Sequence, residues 1–172
     1  MELSEENAVM KKVEHLNEKD EHIIYVTVHR SKHFVITCKQ AINHQGILTN
    51  FELRGYLLES QADTNAFGHH NIDLYCEVIY ASDLHYLKSI HIQEFLADNS
   101  IRNMGYGSIM MQQLIQYAAR LNAEYICGGL SYVDVGKDLD DVENRERRMQ
   151  LHHFYKKHGF KIDESNRIIL YI

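Results

Sequence analysis

The sequence predicts an α/β (α+β) fold, in which helices flank a twisted central sheet of mixed but mainly antiparallel strands. Two observations lead to this prediction. In the first half of the chain, four runs of alternating apolar and polar residues follow one another, the pattern of antiparallel strands with one buried face. In the second half, segments with strand periodicity and helix periodicity alternate, which is typical of helices layered on a sheet.

Length and composition favour a single domain over residues 1–172. A chain of 172 residues can bury roughly 70% of its unfolded surface, which is enough for a core without metal or disulfide staples. The three cysteines are far apart and lie in apolar strand-like runs, which favours buried reduced thiols over a disulfide. They are Cys38, Cys76 and Cys127.

Charge and hydropathy limit the classes of binding partner that the sequence predicts. The net charge is −6 and no Lys/Arg-rich block is present, so nucleic acid is not expected as a partner and a cationic one is favoured. The N-terminal residues are acidic and polar and no apolar run approaches the roughly 20 residues that span a bilayer, so we expect a cytoplasmic protein without a membrane segment. The doublets His69-His70 and His152-His153 lack metal-ligand spacing, and no metal site is predicted.

The first predicted element is an amphipathic helix over residues 5–17. Ser4 followed by two acidic residues is typical of a helix N-cap, and the apolar residues after it repeat with helical spacing. These apolar residues are Val9, Val13 and Leu16. We expect this helix to pack across the sheet.

Four strands follow. "HIIYVTVHR" and "HFVITCK" are separated by the link at residues 30–32 and form a predicted hairpin. "ILTNFELRGYLLE" and "IDLYCEVIYA" are joined by a polar, glycine-containing loop at Ser60–Asn71. In the fourth strand one face carries Ile72, Leu74, Cys76, Val78 and Tyr80.

The second half begins with the strand "LKSIHIQEFLA", residues 87–97, which leads through a glycine turn into a helix. The predicted sheet-facing side of this helix carries Met110, Leu114, Tyr117, Ala118 and Leu121, and the opposite side Gln113, Gln116 and Arg120. The remaining segments are the strand "AEYICGGLSYV", the acidic connector "DVGKDLDDVENRE", the helix "RRMQLHHFYKKH" capped by Gly159, and the strand "RIILYI".

The glycine turn before the helix is the segment that the sequence predicts to bind a ligand. Gly105 and Gly107 stand where the helix begins, and a helix N-terminus offers unpaired N–H groups together with about half a positive charge. This is an anion site. The dinucleotide fingerprint would need a glycine at Met110, and the P-loop would need Gly-Lys-Ser/Thr, so neither applies and Arg102-x-x-Gly105-x-Gly107 remains.

This motif resembles the R/Q-x-x-G-x-G/A signature of the GNAT superfamily, the acyl-coenzyme A dependent N-acyltransferases. "EFLADNSIR" resembles the strand before that turn, and "FYKKHGF" is similar to the second signature of the family, so that roughly Ser89 to Phe160 carries the resemblance. The chain departs from the family in having Asn99 where proline is usual, and Arg148 and Leu151 where asparagine and alanine are usual; Asn144, one turn before Arg148, is a poor substitute for that asparagine.

The resemblance implies a GNAT-like fold and acetyl-coenzyme A (acetyl-CoA) as co-substrate. The coenzyme diphosphate would lie on Arg102 and on the amides of Asn103, Met104, Gly105, Tyr106, Gly107 and Ser108. The pantetheine arm would bond the backbone of Phe95, Leu96 and Ala97. Transfer would be direct, with a backbone N–H near Leu96 polarising the thioester carbonyl.

The resemblance also suggests the groups that move protons. Tyr155 would protonate the leaving thiolate, since a free phenol has a pKa near 10, close to that of a thiol. Glu94 would be the base for the amine, with His91 as the rival, because a bulge of the family type in this strand would defeat simple alternation counting. Glu77 and Glu59 are further candidates. Cys127 as an acyl-accepting nucleophile is a minor alternative, because no base lies beside it in the sequence.

The predicted function is N-acetyl transfer from acetyl-CoA to a primary amine of a small or peptidic acceptor, by a monomer or homodimer. Two alternatives stay open: a non-catalytic regulator that binds coenzyme A, and a strand-rich interaction module. Small cationic amines are favoured as acceptors over tRNA, because recognition of tRNA would need a basic face.

Overall fold

A computed structural model describes residues 21–58, 70–81, 86–130 and 141–172. The predicted helix over residues 5–17, Glu59, most of the predicted loop Ser60–Asn71 and the connector up to residue 140 lie outside these ranges. Of residues 141–144, only the helical backbone is described.

Within the described residues, eight strands form one sheet in the order β1-β2-β3-β4-β5-β6-β8-β7. The pairing of β5 with β6 is parallel, and the other neighbours are antiparallel. The strands are β1 (His22–His29), β2 (Lys32–Ile42), β3 (Leu48–Leu58), β4 (Ile72–Tyr80), β5 (Leu87–Ala97), β6 (Tyr125–Gly129), β7 (Lys161–Ile162) and β8 (Arg167–Tyr171). Helix α1 (Tyr106–Arg120) joins β5 to β6, and helix α2 (Asp141–Lys157) precedes β7. This confirms the predicted mixed, mainly antiparallel sheet with flanking helices.

The predicted strands and α1 are observed, with differences at some of their ends and one additional short strand. The N-terminal part of α2, from Asp141, lies in what was predicted to be an acidic connector; acidic residues in a first turn favour a helix because of its macrodipole. Strand β6 ends at Gly129, earlier than predicted. Strand β7 was not predicted, because two residues are too few to show a period. Gly159 ends α2 in the left-handed conformation, with φ 88°, as predicted for a C-cap.

One face of the sheet forms the main core with the helices. The alternation predicted for β4 is observed, since Ile72, Leu74, Cys76 and Val78 are buried and Tyr80 packs against the same cluster. Gln113 of α1 was predicted to lie on the solvent side of the helix, but it is only 5% exposed. The reason is geometric, since position 113 lies three residues after 110 and four before 117, both of which face the core.

The opposite face of the sheet carries a buried charge. The Glu21 carboxylate is 3% exposed and accepts hydrogen bonds from the Thr37 hydroxyl at 2.7 Å and the Tyr56 hydroxyl at 2.9 Å. It also pairs with the Arg54 guanidinium, which bonds Glu52 as well. Burial raises the pKa of Glu21, but these hydrogen bonds and the Arg54 charge outweigh it, and the net pKa lies below the usual 4.5.

Glu21 should therefore make the free energy of unfolding decrease as the pH falls into the acid range. The pKa of Glu21 is lower in the folded state than in the unfolded state. Its contribution to stability is therefore fully present above the pKa of the unfolded state, and it is lost as pH falls through the pKa of the folded state. We expect Glu21→Gln to lower the free energy of unfolding at pH 7 by about 1 to 3 kcal/mol and to flatten its decline between pH 6 and 3. Urea unfolding across this range measures both effects, and parallel curves for the two proteins would contradict the assignment.

Candidate functional site

The glycine turn lies between β5 and α1. A short 3-10 helix at Asn99–Ile101 follows β5, and the chain then reverses through Asn103 and Gly105, whose φ angles are 60° and 94°. Gly105 is the N-cap of α1, and a Cβ added to it would lie 3.0 Å from His29 Nε2. Both the positive φ and this close approach require glycine at position 105.

Of the six backbone amides predicted to bind an anion, two are hydrogen-bonded to backbone carbonyls of this turn. The Met104 N–H donates to the Ile101 carbonyl at 3.3 Å, and the Ser108 N–H donates to the Gly105 carbonyl at 3.0 Å. The other four amides have no backbone acceptor among the described residues; they belong to Asn103, Gly105, Tyr106 and Gly107. A left-handed residue followed by a helical one makes consecutive N–H groups converge on a concave anion site. The last three amides have this arrangement at the positive end of α1.

Aromatic rings from β5 and α2 close one side of the turn. A Cβ added to Gly107 would lie 3.7 Å from a ring carbon of Phe95 and 3.7 Å from a ring carbon of Phe154. The two ring centroids are 5.7 Å apart. Gly107 is half-buried, and its missing side chain leaves its backbone beside two apolar rings.

A lysine and a histidine at the C-terminal end of α2 reach the same turn. His158 Nε2 is 3.2 Å from Ser108 Oγ, and Lys157 Nζ donates to the same oxygen at 3.5 Å. Burial lowers the pKa of His158, and the Lys157 ammonium lowers it further. The sequence analysis missed both residues. They follow Tyr155 within the second signature, but their contact with Ser108 depends on tertiary packing.

The remaining predicted diphosphate ligand, Arg102, is exposed at the start of the turn. Its Nε donates to the Ala97 carbonyl at 3.2 Å, which anchors the side chain to the end of β5. The predicted ligands of the diphosphate thus share one turn, at the C-terminal end of β5.

The pairing of β5 with β6 ends before the turn. The two strands are paired from Ser89 with Tyr125 to Ile92 with Gly128, and beyond this row β5 continues to Ala97 without a β6 partner. Among the described residues, no strand therefore pairs on that side with the backbone of the predicted pantetheine contacts, which are Phe95, Leu96 and Ala97. An open strand edge offers N–H and C=O groups to an extended ligand that carries amides.

A bulge in β5 brings the candidate bases to one face. Ile92 pairs with Cys76 and Glu94 pairs with Tyr75, so Gln93 is the extra residue in β5. Because of this bulge, His91 and Glu94 face the same side of the sheet, although they are three residues apart. Glu77 is the register partner of His91.

Gln93 connects two of these groups. Its Nε2 donates to the Glu77 carboxylate at 2.7 Å and lies 3.4 Å from His91 Nδ1. Glu94 is exposed, whereas His91 is half-buried. The geometry places Glu94, His91 and Glu77 on one face, and which of them is the base stays a prediction.

Tyr155 and Cys127 lie in more enclosed surroundings. The Tyr155 ring is 6% exposed and packs against Phe154 at 5.3 Å and Phe160 at 5.4 Å between centroids; its role as the acid stays a prediction. Cys127 is the parallel-ladder neighbour of His91, a proximity that the sequence does not show. Burial nevertheless raises the pKa of the Cys127 thiol, despite an opposing hydrogen bond with Ser89, which disfavours a covalent route.

In the described part of the chain, no group of three or more His, Cys, Asp or Glu side chains is placed to hold a metal ion. Neither α1 nor α2, the helices that the structure describes, has the length and apolarity needed to cross a bilayer.

No family model matches the chain, and no curated protein matches it. Solved structures do match. A GNAT-family acetyltransferase from Staphylococcus aureus Mu50 is 11% identical over 79% of this chain and 67% of that chain, with a TM-score of 0.38. An acetyltransferase from Bacillus cereus ATCC 14579 is 15% identical over 95% and 85%, with a TM-score of 0.34. AtaTR bound with AcCoA is 14% identical over 81% and 70%, with a TM-score of 0.31. The first of these bears the name of the family that the two sequence signatures resemble.

Proposed function

We propose that this protein is an N-acetyltransferase of the GNAT type that uses acetyl-CoA as acyl donor. The observation that carries the proposal is the set of converging amides of Gly105, Tyr106 and Gly107 beside the end of β5. In the described part of the chain, these amides have no backbone acceptor, and this end of β5 has no strand paired on the β6 side. A diphosphate joined to an extended amide-bearing arm fits both features at once. A ligand that consisted of a phosphate alone would bind the turn amides and would make no use of the strand edge.

The diphosphate would lie on the turn amides, with Arg102 and Lys157 supplying positive charge and His158 lying beside Ser108. The pantetheine arm would follow β5 along Phe95, Leu96 and Ala97. The thioester would then lie where the β5–β6 pairing ends, next to the bulge.

The chemistry is direct attack of the amine on the thioester carbonyl. Glu94, or His91 in its place, would take a proton from the amine, and Tyr155 would donate one to the leaving coenzyme A thiolate. A backbone N–H near Leu96 would stabilise the negative charge on the carbonyl oxygen. The new amide bond forms as the carbon–sulfur bond breaks, and no acyl-enzyme is needed.

The acceptor would approach from the face that carries Glu77 and Glu94. Two carboxylates on this face, in a protein of net charge −6, favour a cationic primary amine. We therefore place small polyamines, aminoglycosides and amino acids before nucleic acid as acceptor classes.

Coenzyme binding is the first test of this function. At about 100 times its dissociation constant a ligand that binds only the folded state adds roughly 2.7 kcal/mol to stability, so acetyl-CoA should raise the melting temperature by several degrees. Thermal melts with acetyl-, propionyl- and succinyl-coenzyme A provide the measurement. Absence of any shift would overturn the proposal.

A turnover assay distinguishes an acetyltransferase from a non-catalytic regulator that binds coenzyme A. Amine pools are added with acetyl-CoA, and release of free thiol is followed against a sample without amine. Amine-dependent release supports the enzyme. Binding without release for any pool would favour a non-catalytic regulator that binds coenzyme A, and absence of binding would favour an interaction module.

A further inference from the structure

The tip of the β1–β2 hairpin lies against the glycine turn. Strand β1 ends at His29, and Arg30 and Ser31, with φ angles of 52° and 62°, make a two-residue turn into β2. The Tyr106 hydroxyl donates to the His29 carbonyl at 3.2 Å. The His29 and Tyr106 rings meet edge to face, with centroids 4.9 Å apart.

A second hydrogen bond joins the hairpin to the turn. His29 Nε2 is 2.7 Å from the Met104 carbonyl oxygen. Because a carbonyl oxygen can only accept, Nε2 must carry a proton and donate it. The same nitrogen lies 3.0 Å from where a Cβ of residue 105 would stand, so glycine permits this contact.

We infer that His29 is a positioning residue that aims the Gly105 amide at the diphosphate, an inference that rests on the proposed function. Met104 C=O and Gly105 N–H belong to one planar trans peptide unit, so they point in opposite directions. His29 holds the carbonyl on the hairpin side of the turn. The Gly105 N–H therefore points to the other side, where the amides of Tyr106 and Gly107 converge.

The same hydrogen bond has two electrostatic consequences. It keeps the Met104 carbonyl oxygen away from the bound diphosphate, which that oxygen would repel. It also polarises the peptide unit, and a polarised peptide is a stronger N–H donor. A β-hairpin far from the turn in sequence thus completes the anion site.

The test compares His29→Ala with His29→Gln, whose side-chain amide can still donate. We expect His29→Ala to weaken coenzyme A binding about 10-fold or more, the usual scale for a hydrogen bond to a charged group, and His29→Gln to recover most of the loss. Isothermal titration calorimetry with coenzyme A measures both. His22, exposed at the far end of β1, gives the matched control, and His22→Ala should bind as the wild type does.

An acyl donor that lacks the diphosphate distinguishes loss of the positioning role of His29 from general damage to the active site. With S-acetylpantetheine, kcat/KM should be the same for wild type and His29→Ala, whereas with acetyl-CoA it should fall about 10-fold in the variant. Equal losses with both donors would overturn the inference, as would equal coenzyme A binding by wild type and His29→Ala. If the wild type itself does not bind coenzyme A, the proposed function and this inference both fail.

Discussion

Gly107→Glu is expected to abolish coenzyme A binding. The side chain would enter the space between the turn and the Phe95 and Phe154 rings, each 3.7 Å from the position of its Cβ. Its carboxylate would stand at the converging amides, where it would neutralise the helix N-terminus and repel a diphosphate. We expect the dissociation constant to rise by roughly 100-fold or more, which corresponds to about 2.7 kcal/mol.

Gly107→Ala provides the comparison for this experiment. Its Cβ would make ordinary van der Waals contacts at 3.7 Å, and the φ angle of Gly107 is not positive. The alanine variant should therefore bind coenzyme A far more tightly than the glutamate variant. Calorimetric titration of both, with melting temperatures to verify folding, gives the result. Tight binding by Gly107→Glu would mean that the anion lies elsewhere.

Tyr155→Phe is expected to lower kcat by about 10² to 10⁴, the usual range for loss of a general acid, without weakening coenzyme A binding. The ring packs between Phe154 and Phe160, and phenylalanine preserves that packing while it removes the hydroxyl. Thiol release in the presence of an accepted amine measures kcat, and calorimetry measures binding.

The outcome separates three roles of Tyr155. A fall in kcat with unchanged binding supports the acid. A parallel loss of binding and melting temperature would make the tyrosine structural, and an unchanged kcat would exclude it from the reaction. Tyr171→Phe, at a tyrosine that is 65% exposed on β8, is the control for loss of a phenol elsewhere.

Much of the sheet could be predicted from the sequence, because local periodicity reports which face of a strand is buried. The bounds of β5 and the buried face of β4 are examples, since neither depends on distant residues. The left-handed conformation at Gly105 also follows from a local rule, namely that glycine adopts positive φ at little cost.

The parts of the site that could not be predicted depend on contacts between distant segments. The bulge at Gln93 shifts His91 and Glu94 to one face, and no composition rule marks a bulge in a strand without glycine. The contact of His29 with Met104 joins residues 75 apart in the chain. The contact of His158 with Ser108 joins residues 50 apart. Local pattern carries no information on either pair.

The short parallel contact between β5 and β6 has a consequence for folding. Within the described residues, these four rows are the strand pairing that joins β1–β5 to β6–β8. The first group consists of strands consecutive in the chain, which pair with little loop-closure entropy, whereas joining β6 requires closure of the crossover that contains α1. We therefore expect strands β1–β5 to form a folding unit first, with the β5–β6 contact formed after it. Since the proposed thioester position lies where the β5–β6 pairing ends, it is complete only after the β1–β5 unit has been joined to β6.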